Sequence, residues 1–398
     1  MNRLDRLEAW LDADRVRFFS RALALAQGLL LAFFIAGTHG WLVAGVGPNT
    51  TDFASFYAAG TLANAGTPAL AYDQTAHLAA EEKATEKGIG YEYFFYPPTF
   101  LLLCAPLARL PYLVSFVLFE AATLAAWLAL TRRIAGPGSV APLLACSSVW
   151  WTLGIGQNAL LSGTVMAAAT LMLPRRPTAS GMVFAAQCFK PHLGLLVPVA
   201  LLARRQYRAF AAATVTLVAF VGASVLLFGV DTWRRFLAVE RMAPTTLYSG
   251  KVALAAHIDM RGGAMLLGLD PSLAGGLQVV VTILALLAAL IIWRRGDYAT
   301  RAAALAAGTL AIIPFALFYD LILATVAGAW LVQAGRETGF LRGEKTILAL
   351  CVVADLITYP VGKAAHLPFG VLIAPALLGL CYRRAARSKK RETSFRLA

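Results

Sequence analysis

The sequence predicts an all-α polytopic membrane protein, and three observations carry that prediction. Of 398 residues, 59% are hydrophobic and only 14% are charged, with a mean hydropathy of +0.68. A water-soluble domain carries about 25% charge, so this chain lacks the polar surface needed to cover a soluble particle. Its apolar residues fall into runs that approach or exceed the ~20 residues a helix needs to cross a bilayer. Short basic turns separate those runs. Backbone N–H and C=O groups cannot stay unpaired in hydrocarbon, so such runs read as helices, and roughly ten to twelve membrane segments are expected.

Residues 1–21 are mixed in charge, with Leu4, Leu7, Trp10, Leu11 and Phe18 at near-helical spacing. They read as an amphipathic helix on the membrane surface or as a solvated leader. The apolar run from Ala22 to Val46 is long enough to be a retained first span rather than a cleaved signal peptide. Further apolar segments lie near 112–131, 139–153, 157–173, 179–190, 191–203, 208–229, 276–293, 299–317, 320–334, 346–359 and 367–382. The pair flanking Lys190 is short, and reads either as two crossings or as a re-entrant hairpin. This gives one membrane domain over 22–382, followed by a basic tail over 383–398.

The net charge of +14 assigns the sides. Lys and Arg accumulate in cytoplasmic loops, and here Arg132/Arg133, Arg175/Arg176, Arg204/Arg205/Arg208, Arg294/Arg295, Arg336/Arg342/Lys345 and the tail fall in every second loop. Both termini are therefore expected in the cytoplasm of a bacterial inner membrane. The basic excess is a topology signal, and no nucleic acid partner is expected. The opposite loops, 47–111 and 230–275, are long, face the periplasm on this reading, and are expected to contain short helices. Cys104, Cys146, Cys188, Cys351 and Cys381 lie in or beside apolar stretches with no CxxC pair, and read as small core hydrophobes.

Candidate chemistry collects in those outer loops. Asp52 follows the first span and precedes a small, aromatic stretch; it reads as a base for an attacking hydroxyl or as the N-cap of a helix from Phe53 onward. Lys190, in Gln187-Cys188-Phe189-Lys190-Pro191-His192, is an ionisable group at membrane depth, and reads as a phosphate-holding cation or as a snorkelling side chain. Glu120 and Asp355 lie inside apolar segments and are expected to pair structurally, whereas Asp320 sits at an outer boundary and is the better site candidate. His257, Arg261, Lys363 and His366 are also on the outer side; a lone histidine there is more often a packing residue than a catalyst. The sequence contains no P-loop, HExxH, GxSxG or complete GxGxxG, and Gly154-Ile155-Gly156 reads as a tight turn. No metal-ligand spacing stands out.

Taken in order, Asp52-Phe53-Ala54-Ser55-Phe56-Tyr57-Ala58-Ala59-Gly60, Leu70-Ala71-Tyr72-Asp73, Phe95-Tyr96-Pro97-Pro98, Pro106-Leu107-Ala108-Arg109-Leu110-Pro111, Gly156-Gln157-Asn158, Lys190-Pro191-His192 and Tyr319-Asp320-Leu321 resemble glycosyltransferase family 87. Each motif is degenerate alone, but their succession covers most of the chain. The resemblance implies a glycosyltransferase-C type helical bundle that uses a polyprenyl-phosphate sugar, best known for mannose, and a glycolipid or glycan acceptor. It implies Asp52 as general base and donor phosphate near Lys190, with His192, Arg261 and Lys363 as further basic candidates. Tyr57, Tyr96, Gln157, Asn158, His257, Tyr319 and Asp320 are then expected to line the substrate cavity. Some members carry a histidine-containing motif where this chain has Tyr319-Asp320. The implied reaction is an inverting displacement of lipid phosphate at the anomeric carbon; it calls for no cofactor, and a divalent metal is compatible but not required. The competing class is a secondary transporter or flippase, which also uses broken helices and intramembrane charge. The two long outer loops do not repeat one another, which argues against it.

Overall fold

A computed structural model describes residues 3–37 and 51–396. The end of the expected first span, residues 38–46, and the start of the first outer loop, 47–50, lie outside the described residues. Among the described residues there are no named strands, and seven helices are long and apolar enough to cross a membrane: Ala13–Ala36, Tyr112–Ala135, Tyr207–Tyr248, Pro271–Arg295, Phe318–Thr338, Glu344–Ala365 and Phe369–Arg387. Three shorter apolar helices accompany them, at Pro98–Leu107, Ala159–Met172 and Pro191–Ala203. The chain is an all-α polytopic membrane protein.

Several boundaries differ from the sequence reading, each for a local reason. The first long helix starts at Ala13, well before the apolar run, because Asp12 accepts the backbone N–H of Arg15 at 2.8 Å and caps it. A separate helix, Arg3–Trp10, precedes it, and Asp5 pairs with Arg342 at 3.1 Å. The expected span over 208–229 does end at Gly229, whose φ of 80° only glycine adopts readily, and a second helix begins beyond it and reaches Tyr248 within the second outer loop. The segment between Arg133 and Arg204 is broken into short helices, with interruptions at Gly156 and Lys190. The Tyr298–Ile312 helix is apolar all round because it is the buried centre of the bundle, built of Ala, Gly and Leu that let neighbouring backbones approach.

The basic turns gather at one end of this bundle. Arg204 donates to the Arg294 carbonyl, Arg336 to the carbonyls of Ala135 and Pro137, and Arg383 to that of Arg342. The other end holds Asp52 and Asp320. Sixteen residues of nearly continuous helix separate Asp320 from Arg336, a rise of ~24 Å. Of the two intramembrane acids expected to pair structurally, Asp355 accepts from the backbone N–H and hydroxyl of Ser148, both at 3.1 Å. Glu120 is buried, and its carboxylate oxygens have no hydrogen-bond partner among the described residues.

Candidate active site

Asp52 opens the Asp52–Asn64 helix, and Thr51, not Asp52, occupies the N-cap position. The Asp52 side chain is thereby directed elsewhere: its Oδ2 accepts from Gln157 Nε2 at 2.7 Å. Two glycines set that approach. A Cβ at Gly60 would lie 2.1 Å from the Cys104 carbonyl oxygen, so the Asp52 helix packs backbone to backbone on Leu101–Leu107. Gly156 is left-handed (φ 70°), and a Cβ there would meet that of Phe53 at 2.9 Å, so the turn presses Gln157 against the start of the helix. Beneath the acid lies an aromatic cluster in which Phe56 meets Tyr96 at 5.2 Å and Tyr96 meets Phe100 at 4.8 Å.

The same cluster positions the remaining groups. Tyr96 donates to Gln157 Oε1 at 3.1 Å, and that oxygen also accepts the Asn158 backbone N–H at 2.8 Å. Both donors fix the amide so that its NH2 faces Asp52. Thr99 donates to the Cys188 carbonyl at 3.2 Å and Phe100 stacks on Phe189 at 5.4 Å, which ties the Pro97-Pro98 turn to the segment carrying Lys190. Lys190 lies between two 3-10 turns and is almost wholly buried; its Nζ sits 3.1 Å from Asp320 Oδ1 and 4.9 Å from the Tyr319 ring centroid. Asp320 Oδ2 accepts the Leu317 backbone N–H at 3.1 Å. Lysine and aspartate thus form a buried ion pair, and Lys190 is not a snorkelling side chain.

Asp52 retains partial exposure although protein surrounds its carboxylate. Burial raises Asp52 above the usual carboxylate range, while the Gln157 hydrogen bond and then the Lys190 charge hold it down. A neighbour that the sequence analysis did not single out completes the group: Glu92 lies beside Asp52, and burial followed by the Asp52 charge pushes Glu92 up as well. The Glu92 backbone N–H donates to Glu81 Oε2 at 3.3 Å. Glu81 is itself buried beside His77, 3.5 Å away; burial pushes Glu81 up to about 8 and His77 down to about 4. The sequence signal for Glu92 was a single acid inside the Tyr91–Tyr96 aromatic run.

Of the residues singled out from sequence, Asp52, Tyr96, Gln157, Asn158, Lys190, Tyr319 and Asp320 come together. His192 lies beside them, its ring 4.9 Å from Phe315. His257 and Arg261 form a neighbouring cluster. His257 Nδ1 is 3.1 Å from Asp259, its ring stacks on Tyr248 at 4.7 Å, and Arg261 covers the other aromatic contact at 4.3 Å. Asp259 is anchored by Tyr248, the Gly262 N–H and the Ala316 N–H. A bridge from His257 to Leu317 joins this cluster to the Asp320 turn. Tyr57 points away, donating to the Leu110 carbonyl at 2.8 Å, and Lys363 is exposed near the end of Glu344–Ala365. Among the described residues, no group of three or more His, Cys, Asp or Glu is placed to hold a metal ion.

A carboxylate of raised basicity, an amide that orients it and a buried cation within electrostatic range suit deprotonation of a hydroxyl beside a departing anion. The family description "Glycosyltransferase family 87" matches residues 94–318, more than half of the chain. The matched stretch contains Tyr96, Gln157, Asn158, Lys190, His192, His257 and Arg261. Asp52 precedes it, and Tyr319, Asp320 and Lys363 follow it. No curated protein and no solved structure matches the chain.

Proposed function

The chain belongs to glycosyltransferase family 87, and on that premise we propose that this membrane glycosyltransferase moves a hexose, mannose by family default, from a polyprenyl-phosphate sugar to a glycolipid or glycan acceptor. The active site faces the periplasm, and both termini lie in the cytoplasm of a bacterial inner membrane. Gathering of the basic turns at the end opposite Asp52 supports that orientation.

Asp52 acts as the general base. It takes the proton of the acceptor hydroxyl as that oxygen bonds to the anomeric carbon, and the bond from that carbon to the phosphate oxygen breaks with inversion. The phosphate leaves as an anion and needs no proton, so a second acid is not required. Gln157 aims the Asp52 carboxylate, and Lys190 supplies positive charge toward the leaving group while Asp320 holds it in position. No cofactor takes part in these steps.

The observation that carries this reading is the placement of a basic carboxylate against Gln157 and within range of Lys190, beside a packed aromatic cluster. The test is incubation of purified protein with defined polyprenyl-phosphate sugars and candidate acceptors. Asp52→Asn should lower turnover by about 10²–10⁴-fold while membrane insertion and expression stay unchanged. Near-normal turnover in that variant would remove Asp52 from the mechanism. Movement of the lipid-linked sugar across the bilayer without transfer would replace the enzyme reading with a flippase.

A further inference from the structure

A groove of about 610 Å³ runs along the bundle between the Ala13–Gly37, Ile322–Thr338 and Glu344–Ala365 helices. Its walls are mostly apolar, with Leu23, Leu321, Leu348 and Val352 among them and Asp355, hydrogen-bonded to Ser148, at one point; its mouth carries Arg17, Arg336 and Lys345 together with the Asp12–Arg15 pair. We propose that this groove binds an anionic phospholipid, headgroup at the mouth and one acyl chain along the trough.

Charge, length and shape each favour that occupant. At the mouth, Asp12 is paired with Arg15 at 3.0 Å and Asp14 with Arg17. Arg336 spends its hydrogen bonds on the carbonyls of Ala135 and Pro137, which leave its charge uncompensated, and Lys345 rests on the Phe340 ring at 5.5 Å. Arg132 and Arg133 line a second recess against the same Gly136-Pro137 turn. The mouth is therefore net positive and matches a phosphate anion. From Arg336 to Leu321 the groove follows the Ile322–Thr338 helix and the turn before it for fifteen residues, a rise of ~22 Å. The groove thus runs almost the whole way from the basic turns to the Asp320 turn, a trough long enough for one extended acyl chain. Basic pockets between transmembrane helices bind anionic headgroups by this combination of charge and apolar wall. Gly328 lies on the groove wall, and a Cβ built there meets nothing within 4 Å. The space is open where a chain would lie.

The proposal is tested on the purified full-length protein after delipidation, by native mass spectrometry and thermal unfolding with phosphatidylglycerol or phosphatidylcholine of identical chains. Phosphatidylglycerol should bind at least about tenfold more tightly, and Arg17→Gln with Lys345→Gln should erase the difference. Gly328→Leu fills the trough without a clash and exchanges a poor helix former for a good one. It should abolish retained phosphatidylglycerol while leaving the unfolding temperature of the lipid-free protein at or above that of the parent. Equal affinity for the two lipids in the parent protein would overturn the proposal, as would undiminished phosphatidylglycerol retention in Gly328→Leu. Stoichiometric displacement of phosphatidylglycerol by a polyprenyl phosphate, with donor binding lost in Gly328→Leu, would assign the groove to the donor chain instead.

Discussion

Two buried ion pairs sit at opposite ends of the bundle and are built differently. At the basic end Arg384 grips Glu344 with two bonds of 2.6 Å, donates to the Thr338 hydroxyl at 3.0 Å and to the Gly339 carbonyl at 3.2 Å, and Glu344 accepts the Leu341 N–H at 2.7 Å. At the Asp52 end Lys190 makes one bond of 3.1 Å to Asp320 and faces the Tyr319 ring. The guanidinium fork spends most of its donors on fixed protein oxygens, so that pair works as a latch between helix ends. The lysine keeps donor capacity within electrostatic range of Asp52. Burial alone does not tell a structural pair from a functional one; the share of hydrogen-bonding capacity already committed does.

That contrast can be broken by experiment. The largest stability effect is expected at the latch: Glu344→Ala strands a buried guanidinium and should destabilise the protein by about 3–5 kcal/mol, measured by thermal or denaturant unfolding in detergent, with per-molecule turnover of the folded fraction unchanged. Replacing both members of the other pair, Lys190→Met with Asp320→Leu, removes both charges together, so stability should change by less than about 2 kcal/mol. Donor affinity should fall at least tenfold in the same variant, by the loss of one cation facing phosphate. A double variant with full donor affinity would make the Lys190 pair a latch as well.

The smallest effect is a shift in pH dependence. On the proposed mechanism Asp52 works only when ionised, so activity should be present above its folded pKa and lost as pH falls through it; because that pKa is raised, the loss should begin at a higher pH than for a free aspartate near 3.9. Lys190 pulls the pKa down, so Lys190→Met should move the acid limb of kcat/KM to still higher pH. Because Asp52 and Glu92 titrate together, the limb reports the pair. Glu92→Gln keeps a hydrogen-bonding side chain beside Asp52 but removes the second titrating group, so the acid limb of that variant should follow a single group. An acid limb unmoved in Lys190→Met would separate the lysine from the base.

Much of this was legible in the sequence because hydrophobicity and charge are local signals. Apolar run length gave the membrane class, and motif order gave Asp52, Tyr96, Gln157, Lys190 and Asp320 as one candidate set. What the sequence withheld depends on facing and on distant partners. The Lys190–Asp320 pair joins positions 130 residues apart and has no local signature. Tyr57 lies one turn and a half from Asp52 on the same helix, yet it points at Leu110. Glu92 was hidden by its aromatic neighbours, and the helix beyond Gly229 has too mixed a composition for an apolar run to announce it.

The spacing of the site contacts also bears on biosynthesis. Asp52 meets Gln157 across 105 residues, and the Lys190 pair closes only when Asp320 has been made. Contacts of such high sequence separation form late, since the intervening loop must be closed first. A chain that is still being inserted therefore carries its acid and its cation in separate pieces. On the proposed mechanism, the site is incomplete until Asp320 has been made and docked against Lys190.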